Sequence, residues 1–189
     1  MYQKYHTEAL VLGSREWGES DRLFSLYTKD FGLVRARASA VRKESSRMRY
    51  ALQHYTHVQV ALVRGKRGWR VGGAIALGEQ RTLEGTATFA RIAHLVLRLI
   101  VGEEKNEYLF QVLSEARNTL MKGPREAFAA IEIVCVARIL FSLGYLSREA
   151  LQTTLFGNAA YTERDIAEAE ALREKLLSSI NQAIAESHL

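Results

Sequence analysis

Cysteine is almost absent from this chain: Cys135 is the only one in 189 residues. A single thiol closes no internal disulfide and builds no multi-cysteine zinc site, so neither an oxidising compartment nor a zinc ion is expected. Proline is equally scarce, with Pro124 alone, and there is no internal repeat or low-complexity tract. A long uninterrupted apolar run is also missing. Ala127 to Leu146 approaches the length of a bilayer span, but Glu132 and Arg138 interrupt it, and each is costly at membrane depth. That stretch reads as a buried core helix, and no membrane partner is expected. The opening MYQKYHTEAL lacks the charged-then-apolar pattern of a secretory leader, which points to the cytoplasm.

The signatures of catalysis are missing too. Gly65-Lys66 is followed by Arg67, and Val60 stands where a phosphate-binding loop of the Walker type needs its upstream glycine. Gly72-Gly73 is an isolated pair. His54 and His57 are three residues apart in a β pattern, which sends them to opposite faces and away from a shared metal. Glu103, Glu104 and Glu107 fall at a helix–helix junction, where acids serve as solvated caps. Cys135 sits among apolar neighbours, and Ser20-Asp21 has no histidine close by. No active site assembles, so an enzyme is not expected, and a nuclease would require a carboxylate or metal cluster. No cofactor is implied.

What the chain has is positive charge, unevenly placed. With 48% hydrophobic and 25% charged residues the composition is that of an ordinary globular protein. Residues 1–80 carry 14 Lys and Arg against 7 Asp and Glu, a net of +7, while residues 81–189 carry 12 against 14, a net of −2. The densest stretch is Val34 to Tyr50, VRARASAVRKESSRMRY, with six cations and one acid. Such a concentrated field attracts a polyanion.

The same boundary divides strands from helices. Tyr5–Gly13, Arg22–Thr28, Leu33–Val41, His54–Val63 and Trp69–Leu77 carry alternating or β-rich patterns, separated by turns at Gly13-Ser14, Gly18, Lys29-Asp30-Phe31-Gly32 and Arg64-Gly65-Lys66-Arg67-Gly68. Five short strands in about 80 residues predict a small barrel or sandwich. After Gly85 the period changes to that of helices, expected over Thr86–Glu104, from Asn106 to Gly123, from Pro124 to Gly144, over Ser147–Phe156 and over Thr162–Glu186, the last opened by a capping-box-like Thr162-Glu163-Arg164-Asp165. The class is therefore α+β, as two domains, 1–80 and 81–189.

Six aromatics, Trp17, Tyr27, Phe31, Tyr50, Tyr55 and Trp69, accompany the cations of the first half. A single-strand groove needs cations for phosphates and flat rings for bases. Most of these rings are expected in the core, with Trp17 and Trp69 as the candidates for exposure. Arg35 and Arg37 share one strand face.

The stretch Thr7 to Gly32, TEALVLGSREWGESDRLFSLYTKDFG, resembles the start of the RecO family of recombination mediators. The likeness rests on Gly18-Glu19-Ser20-Asp21, on Thr28 and Gly32, on Arg42-Lys43 with Ser46-Arg47, and on Leu52-Gln53 leading into the strand at His54. Leu143-Gly144-Tyr145 resembles the family's element at the end of a long apolar helix. The resemblance implies an N-terminal five-stranded OB-fold barrel followed by an all-helical C-terminal domain, and a non-enzymatic, nucleoid-associated role. It implies binding of single- and double-stranded DNA, annealing of complementary strands, and work with a RecR-like protein and single-stranded-DNA-binding protein in loading recombinase. The phosphate contacts would then come from Arg35, Arg37, Arg42, Lys43, Arg47, Arg49, Arg64, Lys66, Arg67 and Arg70, with Trp69 beside them. This chain departs from the family in two places. The four-cysteine zinc site many members carry has no counterpart, and Ser39-Ala40 stands where the family's basic loop usually has a glycine. The alternative is an OB-fold adaptor acting through protein–protein contacts. Arg98 and Arg138, each inside an apolar helix, are candidates to receive an acidic partner peptide, or else to form internal ion pairs.

Overall fold

The computed structural model describes residues 3–78 and 82–186. Two compact units emerge, Met1–Glu79 with Ile100–Phe110, and Gln80–Leu99 with Gln111–Leu189.

The first unit is built on five strands, β1 (Gln3–Trp17), β2 (Asp21–Thr28), β3 (Gly32–Ala38), β4 (His57–Gly65) and β5 (Gly68–Ala76), with one helical turn, α1 (Met48–Ala51), before β4. They close into a barrel in the order β1-β2-β3-β5-β4, with β3 and β5 parallel and the other pairs antiparallel. This ring fits the OB-fold. Closure depends on β1, which is far longer than the expected Tyr5–Gly13. Gln3 to Leu10 pairs with β4, and Ala9 to Trp17 pairs with β2. At Gly13 the register shifts, so the glycine bends the strand through a corner instead of ending it.

The inward faces alternate as a period of two requires. Phe24 and Leu26 of β2 lie opposite Ala36 and Val34 of β3, and with Val11, Val58, Val60, Leu62 and Val71 they fill the barrel. Each of the Val, Leu and Phe side chains contributes roughly 1.5–3 kcal/mol when fully buried. The β2–β3 turn places Gly32 at φ +65°, in the conformation the hairpin needs. A Cβ at Gly32 would also meet the Glu104 carbonyl oxygen at 2.1 Å, so the segment Ile100–Phe110 lies directly against this turn.

In the second unit, α2 (Leu83–Leu99), α3 (Glu107–Lys122), α4 (Phe128–Ser142), α5 (Arg148–Leu151), α6 (Glu163–Ala171) and α7 (Arg173–Glu186) follow in order, α3 drawing its first four residues from the first unit. A 3-10 turn, Arg125–Ala127, links Pro124 to α4. The apolar α4 is the hub, packing Ile133, Val134, Ala137 and Leu140 against Leu151, Leu155, Phe156, Leu176 and Ile180. Asn106 Oδ1 accepts from the Leu109 N–H at 2.9 Å and caps α3, and Thr162 with Asp165 forms the expected capping box.

Three helices differ from expectation: the one foreseen over Ser147–Phe156 is only α5, which ends at Leu151 because Gln152 turns left-handed at φ +51°. α2 stops at Leu99, short of Glu104, because Gly102 takes φ +102°, which no helix admits. The helix foreseen over Thr162–Glu186 is broken at Leu172, where neither glycine nor proline marks the sequence.

Candidate nucleic-acid interface

The outward face of β3 carries Arg35 and Arg37, both exposed, while Leu33, Val34, Ala36 and Ala38 are buried. Strand register then lines up neighbours across the sheet: Leu23 of β2 pairs with Arg37, and Arg37 pairs with Arg70 of β5. The β4–β5 hairpin adds Lys66 and Arg67 at its tip, turned by Gly68 at φ +96°. Together Trp17, Leu23, Arg35, Arg37, Lys66, Arg67, Trp69 and Arg70 line an open cleft of about 660 Å³. No acidic side chain lines it among the described residues.

Arg37 is aimed, not free. Its Nε donates to Asp21 Oδ2 at 2.6 Å, while Asp21 Oδ1 accepts the Ala40 N–H at 2.7 Å. These bonds, the Ala40 N–H first and the Arg37 guanidinium after it, hold the Asp21 carboxyl below the usual carboxylate range. Ala40 itself sits at φ +53°. The alanine thus adopts the left-handed conformation that favours glycine.

The two tryptophans have opposite fates. Trp17, at the end of β1, is 45% exposed, with the Arg15 guanidinium 5.8 Å from its ring centre. Trp69, expected at the surface, is only 5% exposed. Its indole packs edge-on against Tyr5 and beside Phe31, and its Nε1–H donates to Glu103 Oε1 at 2.8 Å. Trp69 can therefore offer the cleft only an edge. Glu103 in turn is no mere solvated cap, since it also lies 3.6 Å from Arg64. Arg64, stacked over the Trp69 ring at 5.1 Å, is turned to that carboxylate and does not line the cleft. Tyr27 is buried, Phe31 packs against the barrel core, Tyr55 is half-buried and Tyr50 is exposed.

The remaining cations form a second group. Arg42 and Arg49 meet Arg22 at one end of the barrel, over Phe24, Val41 and Leu52. Arg42 lies 3.3 Å from Glu16. Lys43 and Arg47 are exposed on the turns leading into α1. Of the ten predicted phosphate ligands, five line the cleft and two, Arg42 and Arg49, line the barrel end; Lys43 and Arg47 lie on exposed turns and Arg64 is held by Glu103. Sequence reading passed over Arg22, although its parity with Phe24 and Leu26 places it on the inward face of β2.

Other candidates resolve plainly. His54 precedes β4, 2.8 Å from Ser14 Oγ, and His57 lies 3.1 Å from Glu8. Cys135 is fully buried, which pushes its thiol up to about 12. Arg138 is internal: its Nε donates to the Leu155 carbonyl at 2.7 Å, its Nη1 to the Ala160 carbonyl at 2.6 Å, and Asp165 lies 3.6 Å away. Arg98 is exposed on α2. Among the described residues no helix is long and apolar enough to cross a membrane, and no group of three or more His, Cys, Asp or Glu could hold a metal ion.

A closed five-stranded barrel of OB type with a basic cleft on its outer face defines the class of the first unit. Residues 1–70 match the family described as Recombination protein O N terminal. The chain is similar to proteins named DNA repair protein RecO: 47% identical over 62 residues to that of Desulfitobacterium hafniense, covering 33% of this chain and 23% of the relative. Longer matches are to those of Pelotomaculum thermopropionicum, 31% identical over 72% of this chain and 55% of the relative, and Heliobacterium modesticaldum, 34% over 75% and 52%. The chain is a relative of the RecO proteins, and its first 70 residues belong to the family's N-terminal domain. It spans about half the length of the two relatives matched over most of this chain.

Proposed function

We propose that this chain is a DNA-binding protein of recombinational repair, which holds single- and double-stranded DNA, anneals complementary strands and helps load recombinase. The observation that carries the reading is the cleft: five cations, Arg35, Arg37, Lys66, Arg67 and Arg70, with no lining acid and an exposed tryptophan at one end. Cations at strand spacing, roughly 5 Å apart between strands and 7 Å along one, present a row of positive charge to a phosphate backbone. Trp17 supplies a flat ring against which a base can stack. Nothing in the cleft pairs with base edges in a defined pattern, so little sequence preference is expected.

Lys43, Arg47 and Arg64 extend the positive field around this footprint, and the edge of Trp69 forms part of its floor. Residues 1–80 would act as the nucleic-acid-binding domain and 81–189 as a helical domain carrying contacts to a RecR-like protein and to single-stranded-DNA-binding protein. The role is non-enzymatic and set in the cytoplasm at the nucleoid, as the family resemblance and the DNA repair name of the relatives support.

Replacing Lys66, Arg67 and Arg70 together by alanine tests the cleft. Removing one cation–phosphate pair from a complex with single-stranded DNA lowers the log–log salt slope by about 0.7, so the triple variant should show a slope shallower by about 2, along with weaker affinity and slower annealing. Unchanged affinity and slope would remove the cleft as the footprint.

A further inference from the structure

The barrel end beside the cleft holds a guanidinium where the pattern calls for an apolar residue. The inward column of β2 runs Arg22, Phe24, Leu26 opposite Ala38, Ala36, Val34 of β3. Phe24 and Leu26 are core, so alternation aims Arg22 along the same inner face at the column's end. There Arg22, Arg42 and Arg49 face a hollow of about 250 Å³ floored by Phe24, Val41 and Leu52. Arg22 Nη1 donates to Ser14 Oγ at 3.3 Å, but its Nε is shielded from solvent with no acceptor in reach among the described residues. A shielded N–H of a charged group without an acceptor is costly, and an anionic oxygen would supply what is missing. No carboxylate lines the hollow among the described residues; the exposed Glu16, opposite Arg22 in the strand register, pairs with Arg42 at its rim, and Asp21 is committed to Arg37 and the Ala40 N–H. Beside them Tyr50 is 61% exposed, with Arg49 lying 4.7 Å from its ring centre and donating to its hydroxyl. None of these residues lines the cleft.

We propose that this hollow is a second nucleic-acid site, in which Arg22, Arg42 and Arg49 take a backbone phosphate of a second strand and Tyr50 presents its ring to an adjacent base. The inference rests on the barrel being a DNA-binding domain. Guanidinium forks match phosphate oxygens in pairs, and an apolar floor strengthens those charge-assisted bonds. The exposed ring backed by a cation favours a nucleic acid over an acidic peptide, which would leave the ring without a base to stack. Two separate sites on one barrel would hold two strands at high effective concentration, which is what pairing requires.

The test uses the full chain and two oligothymidylates, which cannot pair with each other, labelled with a donor and an acceptor dye. The first is bound to saturation and followed by anisotropy, and the second is titrated in and followed by energy transfer. R22Q/R49Q should keep its affinity for the first and weaken capture of the second by about tenfold or more, as expected for loss of charge-assisted bonds. K66Q/R67Q/R70Q should lose the first. Thermal unfolding checks both variants, and R49Q alone, at the rim, carries the test if the double variant does not fold. Undiminished energy transfer in R22Q/R49Q, or in R49Q in that case, would overturn the second site while leaving the cleft intact. Binding of polyglutamate at the hollow with no second strand captured would overturn it as well. A native chain that binds neither strand would refute the DNA-binding reading itself.

Discussion

Ala40 is a residue whose backbone works against its side chain. At φ +53° an L-residue with a Cβ carries about 1 kcal/mol of strain, which a glycine does not. Ala40→Gly should therefore raise stability by up to about 1 kcal/mol, offset in part by glycine's extra unfolded-state freedom, and a urea titration would show it as a higher midpoint at constant slope. The strain is held in place by Asp21, which bonds the Ala40 N–H and Arg37 at once. Because folding lowers the Asp21 pKa from 3.8, its contribution is present above that value and is lost as pH falls through the folded value. Asp21→Asn should accordingly cost stability at pH 7, and the gap to the native protein should close below about pH 4. Equal gaps at pH 7 and pH 3 would mean that the carboxylate charge contributes nothing.

At the scale of the element, strands were legible because their signal is local. Period-two alternation placed Arg35 and Arg37 on one face and the hairpin tip at Lys66-Arg67, and both stand in the structure. What escaped the sequence depends on distant residues. Trp69 looks exposed at the root of a charged hairpin, but its indole partner, Glu103, lies 34 residues away on a segment expected to be helical. The alternation of β2 puts Arg22 on the inward face, but the hollow it shares with Arg42 and Arg49 follows from closure of the ring and from α1, which no local pattern reveals. In α4, Arg138 shows the reverse: a cation in an apolar helix, open to two readings, is bonded to two carbonyls and paired with Asp165. Arg138→Met should destabilise the helical unit by roughly 3 kcal/mol, since it leaves the Leu155 and Ala160 carbonyls without their donor and takes the cation from beside Asp165, which keeps only its Thr162 bonds. Calorimetry of the full chain would register this as a lowered transition, and an unchanged one would mean that those groups find other partners.

For the whole molecule, the charge division seen in the sequence corresponds to a physical arrangement. A net of +7 falls in residues 1–80 and −2 in the remainder, and the barrel gathers five of its cations on one face. Motif and pattern were enough to give the α+β class and the family, because turn chemistry and strand alternation in the first 70 residues and helical periodicity after Gly85 are all local signals. The grouping of Ile100–Phe110 with the barrel was not readable, since it is fixed by Gly32's missing Cβ and by Trp69's demand for an acceptor, neither of which has a sequence signature.

The central claim is that an electrostatic cleft on the barrel binds a nucleic-acid backbone, and salt-titrated binding of single-stranded DNA to the full chain tests it most directly. Five cleft cations, each releasing about 0.7 of a counterion, predict a straight log–log plot with a slope of about −3.5. A slope near zero, or affinity untouched between low and high salt, would contradict it.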